Sequence, residues 1–368
     1  MRILQVCSAR TLGGGERHVA ALANALTLRG HQVFMAVTHD SPVVAELASV
    51  PLHNVITLRM RNAFDVPSAL KLAKFVREHE IEIVHAHLAR DYPLASLAVR
   101  RYAQLVITRH VLFPLNRLHK LTLARVTRVI AVSNAVASKL KSQRICSERR
   151  IEVIPNGIDL KRFTANQSDE TTADVRTRLG VQRPFLVGAV GSMLPIKGHE
   201  DFVRAAAIIA RQRSDVDFVI VGDDEARNRD HRRRIEQLIT DLGIDDAVKL
   251  VNWTDELSQF YHALEIFVSS SHSEAFGLSI VEAMASSLPV VATASEGAME
   301  IIEDNRTGVL VPIGDATAIA MAIVTLVDNA SMRKRLGEQA SEDAVQRFGL
   351  ERMIDAVETV YREALAGV

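Results

Sequence analysis

The chain has 368 residues, 44 Lys plus Arg against 44 Asp plus Glu, 48% hydrophobic and 24% charged residues, which describes an ordinary globular protein too long for one core and suited to two domains. Two cysteines, Cys7 and Cys146, exclude a disulfide framework and a cysteine-rich metal site, and no apolar run approaches the roughly 20 residues that span a bilayer. The zero net charge hides a split, since residues 1–165 hold 24 basic and 11 acidic side chains whereas residues 166–368 hold 20 and 33; a basic first half points to an anionic acceptor or an anionic membrane surface.

The amino-terminal MRILQVCSAR reads as a strand leading into a glycine loop. Its apolar run is too short for a signal peptide, and the expected location is the cytoplasm. Cys7, at the end of that strand, is expected to be a packed core thiol. Further strands follow at 32–37, 82–85, 104–108 and 128–132, with amphipathic helices at 16–29, 67–79 and 133–142. VIPNGIDLKRF at 153–163 closes this half, where Asn156 and Asp159 shape a turn, Asn-Gly being a turn signal. The polar ANQSDETTAD at 165–174 lacks apolar periodicity and reads as linker. Strands then recur at 185–191, 216–221, 247–251, 264–269 and 289–293, and from Asn329 the chain is helical. Strand and helix alternate throughout, which predicts an α/β protein with a doubly wound parallel sheet in each half.

The most informative stretch is SEAFGLSIVEAMASSLPVVAT at 273–293. HALEIFVSS at 262–270 reads as an apolar strand, SHSEAFG at 271–277 as a turn, and LSIVEAMASS at 278–287 as a helix. The first amides of that helix, near Gly277, Leu278 and Ser279, leave the carboxyl end of a strand, where unpaired N–H groups and the helix dipole favour an anion. Glu274 in the loop and Glu282 in the first helical turn then face one ligand at different heights. Ser279 to Glu282 equally fits a capping box. Glu274 has no capping duty, and it tips the balance towards a ligand site.

Glu274, Phe276, Gly277 and Glu282 resemble the glutamate, seven residues, glutamate motif of retaining nucleotide-sugar glycosyltransferases of family four, which have the GT-B fold. GGGERHVAALANALTLRGHQV at 13–33, IVHAHL at 83–88, TRH at 108–110, AVSNAV at 131–136, IPNGID at 154–159, KGHEDFVRAA at 197–206 and FVIVGD at 218–223 fall in the order that family shows. The resemblance thus covers nearly the whole chain. It implies two Rossmann-like domains facing a central cleft: 1–164 on the acceptor side, completed by a returning helix at about 346–368, a linker at 165–183, and 184–345 as the donor-binding domain. It implies transfer of a sugar from a nucleotide-diphosphate sugar to a glycan or lipid-linked acceptor, in cell-surface polysaccharide or lipopolysaccharide synthesis. No cofactor is then expected.

The same resemblance distributes roles. Glu274, His110 and Lys197 are the expected catalytic set, with Lys197 clamping phosphate and His110 holding a hydroxyl of the transferred sugar. Gly14, Gly15, Ser192, Gly222 and Trp253 join Phe276, Gly277, Leu278, Ser279 and Glu282 on the donor side. Glu16, Arg17, His87 and Arg109 are expected towards the acceptor, with His87 facing the cleft and His85 structural. The family commonly carries an arginine where this chain has Ser192. Arg17 or Arg109 is a candidate replacement, and otherwise phosphate contact is weaker than usual.

Competing chemistry finds little support. Gly13, Gly14 and Gly15 are not spaced as a dinucleotide fingerprint, and no HExxH, Walker loop or G-x-S-x-G elbow occurs. Asp215 and Asp217 form a D-x-D triplet, but ahead of the apolar run FVIVG, so they are expected in a turn and no metal site is expected. Glu300 in SEGAMEII is expected to start or cap a helix. Basic residues are not interleaved with exposed aromatics, and nucleic acid is not an expected partner. The rivals to a transferase are a GT-B sugar-nucleotide epimerase or hydrolase, and a catalytically silent nucleotide-sugar-binding subunit. RHVLFPLNRLHKLTLARVTR at 109–128 mixes cations with leucines and Phe113, as an interfacial membrane segment does.

Overall fold

Ile3, Leu4, Val6 and Cys7 in one strand, and Phe218, Val219, Ile220 and Val221 in another, are all 0% exposed. Unbroken burial of this kind requires a sheet covered on both faces, the condition of parallel sheets in α/β proteins. The computed structural model describes residues 1–99, 102–116, 119–164, 171–224, 229–254 and 256–367. They divide into two units, Met1–Gly157 with Leu350–Val368, and Ile158–Gly349.

The first unit holds seven parallel strands: β1 (Arg2–Cys7), β2 (Gln32–Thr38), β3 (Val55–Leu58), β4 (Ile83–Ala86), β5 (Gln104–Arg109), β6 (Arg128–Ala131) and β7 (Ile151–Val153). Their order in the sheet is β3-β2-β1-β4-β5-β6-β7. The chain's direction of growth reverses between β1 and β4, where Ile3 pairs with Val33 on one side and Ile83 on the other. Loops following those two strands leave the carboxyl edge side by side, and such a switch point opens a crevice for a ligand.

The second unit repeats the arrangement with β8 (Phe185–Val190), β9 (Val216–Val221), β10 (Val248–Val251), β11 (Ile266–Ser269), β12 (Val290–Thr293) and β13 (Val309–Val311), in the order β10-β9-β8-β11-β12-β13. Its switch point lies between β8 and β11. Two doubly wound parallel sheets are what the alternation of strand and helix predicts.

Helix Leu350–Ala366 belongs to the first unit although the second unit's residues precede it. Met353, Ile354, Val357, Val360, Tyr361 and Ala364 pack into the same core as Ile3, Val19, Leu22 and Leu26. Among the described residues no helix is long and apolar enough to cross a membrane.

Several local expectations are corrected. The unit boundaries fall at 157/158 and 349/350, rather than at 164/165 and 345/346. Residues 165–170 of the expected linker lie outside the described residues. Its next stretch is a helix, Thr172–Leu179, whose start is closed reciprocally by Thr171 and Asp174. Only Val175 of that helix is buried, so it shows no apolar stripe for periodicity to detect. Strands β3, β7 and β13 and helix Tyr92–Val99 escaped prediction; β7 and β13, at three residues each, are too short to display a period.

Candidate active site

Lys197 and Glu274 meet at the second unit's switch point. Lys197 ends the single turn Pro195–Lys197 after β8, and Glu274 stands in the loop after β11. Nζ of Lys197 donates to Oε2 of Glu274 at 2.6 Å, and the side chains are 23% and 15% exposed. Gly198 makes this approach possible. Its φ is +63°, and a Cβ there would lie 2.0 Å from the carbonyl oxygen of Ser270, so only glycine lets the β8 loop press against the β11 loop.

Beside this pair begins helix Leu278–Ala285, with Gly277 at its N-cap, φ +112°, and no side-chain cap. Ile280 and Val281 are bonded back to the Gly277 carbonyl at 3.0 and 3.2 Å, which places the amides of Gly277, Leu278 and Ser279 ahead of the helical ladder. The capping-box alternative therefore fails: Ser279 is inside the helix, and Glu282 lies in its second turn rather than its first. Glu282 instead accepts a hydrogen bond from Tyr261 at 2.9 Å. Glu274 and Glu282 leave the helix start at different heights, and the anion-favouring amides lie between them in sequence.

One acidic residue here escaped sequence reasoning. Glu296 opens helix Glu296–Ile301, and its carboxylate accepts from Ser273 Oγ at 3.0 Å and from the Glu274 amide at 3.4 Å. Glu300, expected near a helix start, sits in the last turn of that same helix. The neighbouring donor-side expectations divide. Phe276 is 5% exposed and packs edge-on against Phe348 at 5.7 Å, so its ring belongs to the core. Gly222 is needed because a Cβ would fall 1.9 Å from the Gly191 carbonyl oxygen, a packing reason independent of any ligand. Trp253 is half-buried after β10, with its amide directed to Asp223 at 3.3 Å. Ser192 follows β8 after Gly191, and its carbonyl lies 3.3 Å from His199 Nε2.

In the first unit the glycine loop runs straight into helix Gly14–Leu28. Gly13 donates its amide to Glu16 Oε2 at 3.0 Å, so Glu16 closes the helix start where an acceptor-side role was expected. Gly15 lies beside His110, its hypothetical Cβ 3.7 Å from Cγ of the imidazole. Arg17 pairs with Glu46 at 3.5 Å. Arg109 is 5% exposed and donates to the carbonyl of Phe113: it ties down the loop after β5, which needs a donor for that carbonyl, instead of standing open as a cation.

His87 is 2% exposed, and both its ring nitrogens are engaged, with His110 Nε2 at 3.3 Å and Gln5 Oε1 at 2.7 Å. It backs His110 and does not face outward as expected. His85, at 0% exposure, bridges Tyr361 Oη at 2.6 Å and Thr108 Oγ1 at 2.7 Å, the structural part expected of it. Burial holds His85, His87 and His110 well below the ordinary histidine pKa and brings His18 down to about 4. All four are therefore neutral imidazoles at pH 7. Asp91, in the loop after β4, is pushed up to about 6 by burial, against the opposing hydrogen bonds from Ser8.

Among the described residues one metal-capable group appears: His18, His87 and His110 offer ring nitrogens all within 4.8 Å of one another. These are ligands for a transition metal and not for the hard, oxygen-seeking cations that accompany diphosphates. The D-x-D pair does not serve either. Asp217 lies inside β9, not in the expected turn, and accepts the amides of Gln182 and Arg183 at 2.8 Å each, while Asp215 is paired with Arg213 at 2.9 Å.

Two family models divide the chain between them: the one described as Glycosyltransferase Family 4 matches residues 12–162, and the one described as Glycosyl transferases group 1 matches residues 173–343. A D-inositol 3-phosphate glycosyltransferase of Salinispora arenicola is 31% identical over 66% of this chain and 56% of its own length. The lipopolysaccharide core biosynthesis glycosyltransferase LpsE of Rhizobium meliloti is 35% identical over 46% of this chain and 48% of its own. The chain thus spans about half the length of these curated relatives. A solved glycosyltransferase from Rickettsia africae superposes with a TM-score of 0.88 at 24% identity, covering 99% of this chain and 98% of that one, a likeness of fold.

Proposed function

We propose, for a chain that belongs to the GT-B glycosyltransferases of family four, that it moves a sugar with retention from a nucleotide-diphosphate sugar to a glycan or lipid-linked acceptor. The observation that carries this reading is the Lys197–Glu274 pair at a switch point beside the amides that follow Gly277. Breaking the anomeric bond leaves negative charge on the departing diphosphate, and preorganised positive potential is what lowers that barrier. Lys197 and the helix-start amides supply it from within one unit.

The ion pair gives the site a resting state. An arriving diphosphate competes for the Lys197 ammonium, which frees the Glu274 carboxylate to orient the sugar and face the positive charge that develops at its anomeric carbon. Glu282, held by Tyr261, takes the ribose hydroxyls. The acceptor oxygen bonds to the anomeric carbon on the face the diphosphate leaves, and its proton passes to the departing phosphate oxygen. No step requires a metal. The kinship with a lipopolysaccharide core enzyme supports a cell-surface glycan as acceptor.

A peripheral membrane location is part of the proposal, on a surface smaller than the sequence suggests. In segment 109–128, Val111, Phe113 and Leu121 are 40%, 68% and 77% exposed, whereas Leu115 and Leu123 turn inward. Arg117 and Leu118 lie outside the described residues, and Arg128 pairs with Glu363 at 3.6 Å. Lys120 and Arg125 remain exposed beside Leu121. Helix Tyr92–Val99 joins this segment to helix Val66–Glu78, which adds exposed Val66 and Leu70 and exposed Lys71. Apolar and cationic groups side by side suit the headgroup boundary of a cytoplasmic leaflet.

Isothermal titration against UDP, GDP, ADP and TDP sugars tests the core of the reading. At least one is expected to bind, and Lys197→Ala is expected to weaken it at least tenfold. Indifference to all four, with folding intact, would remove the transferase assignment.

A further inference from the structure

Six side chains of the first unit form one continuous hydrogen-bonded chain. His110 Nε2 meets His87 Nδ1 at 3.3 Å, and His87 Nε2 meets Gln5 Oε1 at 2.7 Å. Gln5 Nε2 donates to Tyr361 Oη at 3.1 Å, Tyr361 Oη meets His85 Nδ1 at 2.6 Å, and His85 Nε2 meets Thr108 Oγ1 at 2.7 Å. Gln5, His85 and Tyr361 are 0% exposed, Thr108 1% and His87 2%. No solvent is at hand to relax a wrongly pointing proton.

The Gln5 amide, with its oxygen towards His87 and its nitrogen towards Tyr361, sets donors and acceptors along this chain in one direction. A neutral imidazole carries one N–H and one lone pair, and the partners decide which nitrogen has which. The Gln5 carbonyl oxygen can only accept, so His87 carries its proton on Nε2 and presents a lone pair at Nδ1. His110 must then donate from Nε2. At the other end the Gln5 amide donates to Tyr361, whose own proton goes to His85 Nδ1, leaving the His85 Nε2–H for Thr108. The result is a bare lone pair on His110 Nδ1, a buried atom without a hydrogen-bond partner in the structure. An unmet buried acceptor is destabilising, and a donor arriving there would offset that cost.

We propose that Gln5 and Tyr361 are positioning residues that hold His110 as its Nε2–H tautomer, so that Nδ1 acts as an acceptor for one hydroxyl of the transferred sugar. This rests on the reading of the site as a sugar-transfer site, and it deepens that reading. A site built as acceptor selects a sugar that offers an O–H at that position and rejects the deoxy analogue. Tyr361 lies on helix Leu350–Ala366, 356 residues from Gln5, and is 0% exposed, so this polarity is set from inside the core.

The experiment is long-range 1H–15N correlation on protein labelled at its 13 histidines, with His85, His87 and His110 assigned from single His→Gln variants. The expected wild-type pattern is the Nε2–H tautomer for all three at pH 7; His110 found as Nδ1–H or as a cation overturns the proposal. Tyr361→Phe lets Gln5 turn over and Gln5→Met removes the acceptor of His87, and each is expected to give His110 as a mixture of both tautomers. Tyr92→Phe removes an equally buried hydroxyl, bonded at 2.8 Å to the backbone carbonyl of Thr108 and to none of the side-chain links of the relay, and is expected to leave His110 single. An unchanged His110 in both chain variants, or the same mixture in Tyr92→Phe, overturns the relay. UDP-glucose, but not UDP, is expected to move the His110 Nδ1 resonance of the wild type. If the tautomers are as stated and no sugar nucleotide that binds moves that resonance, the relay stands and the sugar contact falls.

Discussion

Tyr261 gives its hydroxyl proton to Glu282 across 2.9 Å from a ring that is 0% exposed. Burial and the neighbouring carboxylate both push the Tyr261 pKa well above its usual value, so the donor keeps its proton and the bond keeps its direction. Glu282 is thereby a carboxylate held in place, suited to static recognition of ribose, while Glu274 is tied to a lysine that a phosphate can draw away. Glu282→Ala is expected to lower nucleotide affinity about 10- to 100-fold, the worth of one or two charge-assisted hydrogen bonds. Glu274→Ala is expected to leave nucleotide affinity near the wild type and turnover nearly absent. Calorimetry and steady-state rates separate the two; if both changes merely lower the melting temperature, neither glutamate serves the reaction.

Turnover is expected to persist in excess EDTA. Asp215 is occupied by Arg213 and Asp217 by two backbone amides, so neither is placed to hold a hard cation beside a diphosphate. A rate abolished by chelation and restored by magnesium or manganese would contradict this.

Vesicles containing an anionic lipid should bind the protein at low salt and release it as salt rises, because each cation near such a surface contributes about 1 kcal/mol and the contribution is screened. Changing Lys120 and Arg125 to Ser should lower co-sedimentation by roughly tenfold, and Leu121→Ser should lower it further. Binding indifferent to salt and to all three changes would remove the membrane claim and leave the transferase claim standing.

Acid should unfold the protein early. His18 and His199 are drawn down to about 4 by burial, and His85, His87 and His110 well below the ordinary value. Unfolded histidines take up protons near pH 6.5 while these do not, so stability is complete above that pH and is lost as pH falls from 6.5 towards 4. For His18 and His199 the fall from 6.5 to about 4 corresponds to on the order of 3 kcal/mol each. Asp91, raised to about 6, opposes it with a similar amount below pH 6, but it is one group against five. Urea midpoints across this range should fall steadily; a flat profile would show that the imidazoles are solvated.

Gly198→Ala should be severe. Its side chain would occupy a left-handed backbone and collide with the Ser270 carbonyl at 2.0 Å. A cost on the order of 3 kcal/mol is expected, roughly 10 °C in melting temperature. An unchanged melting temperature would mean that the β8 and β11 loops can separate without penalty.

The fold was legible because burial on both faces forces long apolar runs such as FVIVG, and because helices between them force parallel pairing. The Lys197 and Glu274 neighbourhood was legible for a related reason: both residues follow strands, and switch-point loops gather at one edge. What could not be read are relationships without a local period. Gln5 and Tyr361 carry no motif, and the bond between them spans 356 residues. Glu282 was placed one turn too early because Ser279 mimics a cap, whereas Gly277 with its positive φ starts the helix. Arg109 and Glu16 looked like open charges, yet a loop carbonyl and a helix start had prior need of them.

Helix Leu350–Ala366 also imposes an order on synthesis. All seven strands of the first unit emerge before residue 158, yet the helix that covers Val19, Leu22 and Leu26 is translated only after residues 158–349. At ordinary ribosome speeds that interval is roughly 10 to 40 s. Throughout it the nascent first sheet carries an uncovered apolar flank, and the second unit, whose residues are contiguous, is the one able to fold as it emerges. The half made first is thus finished last.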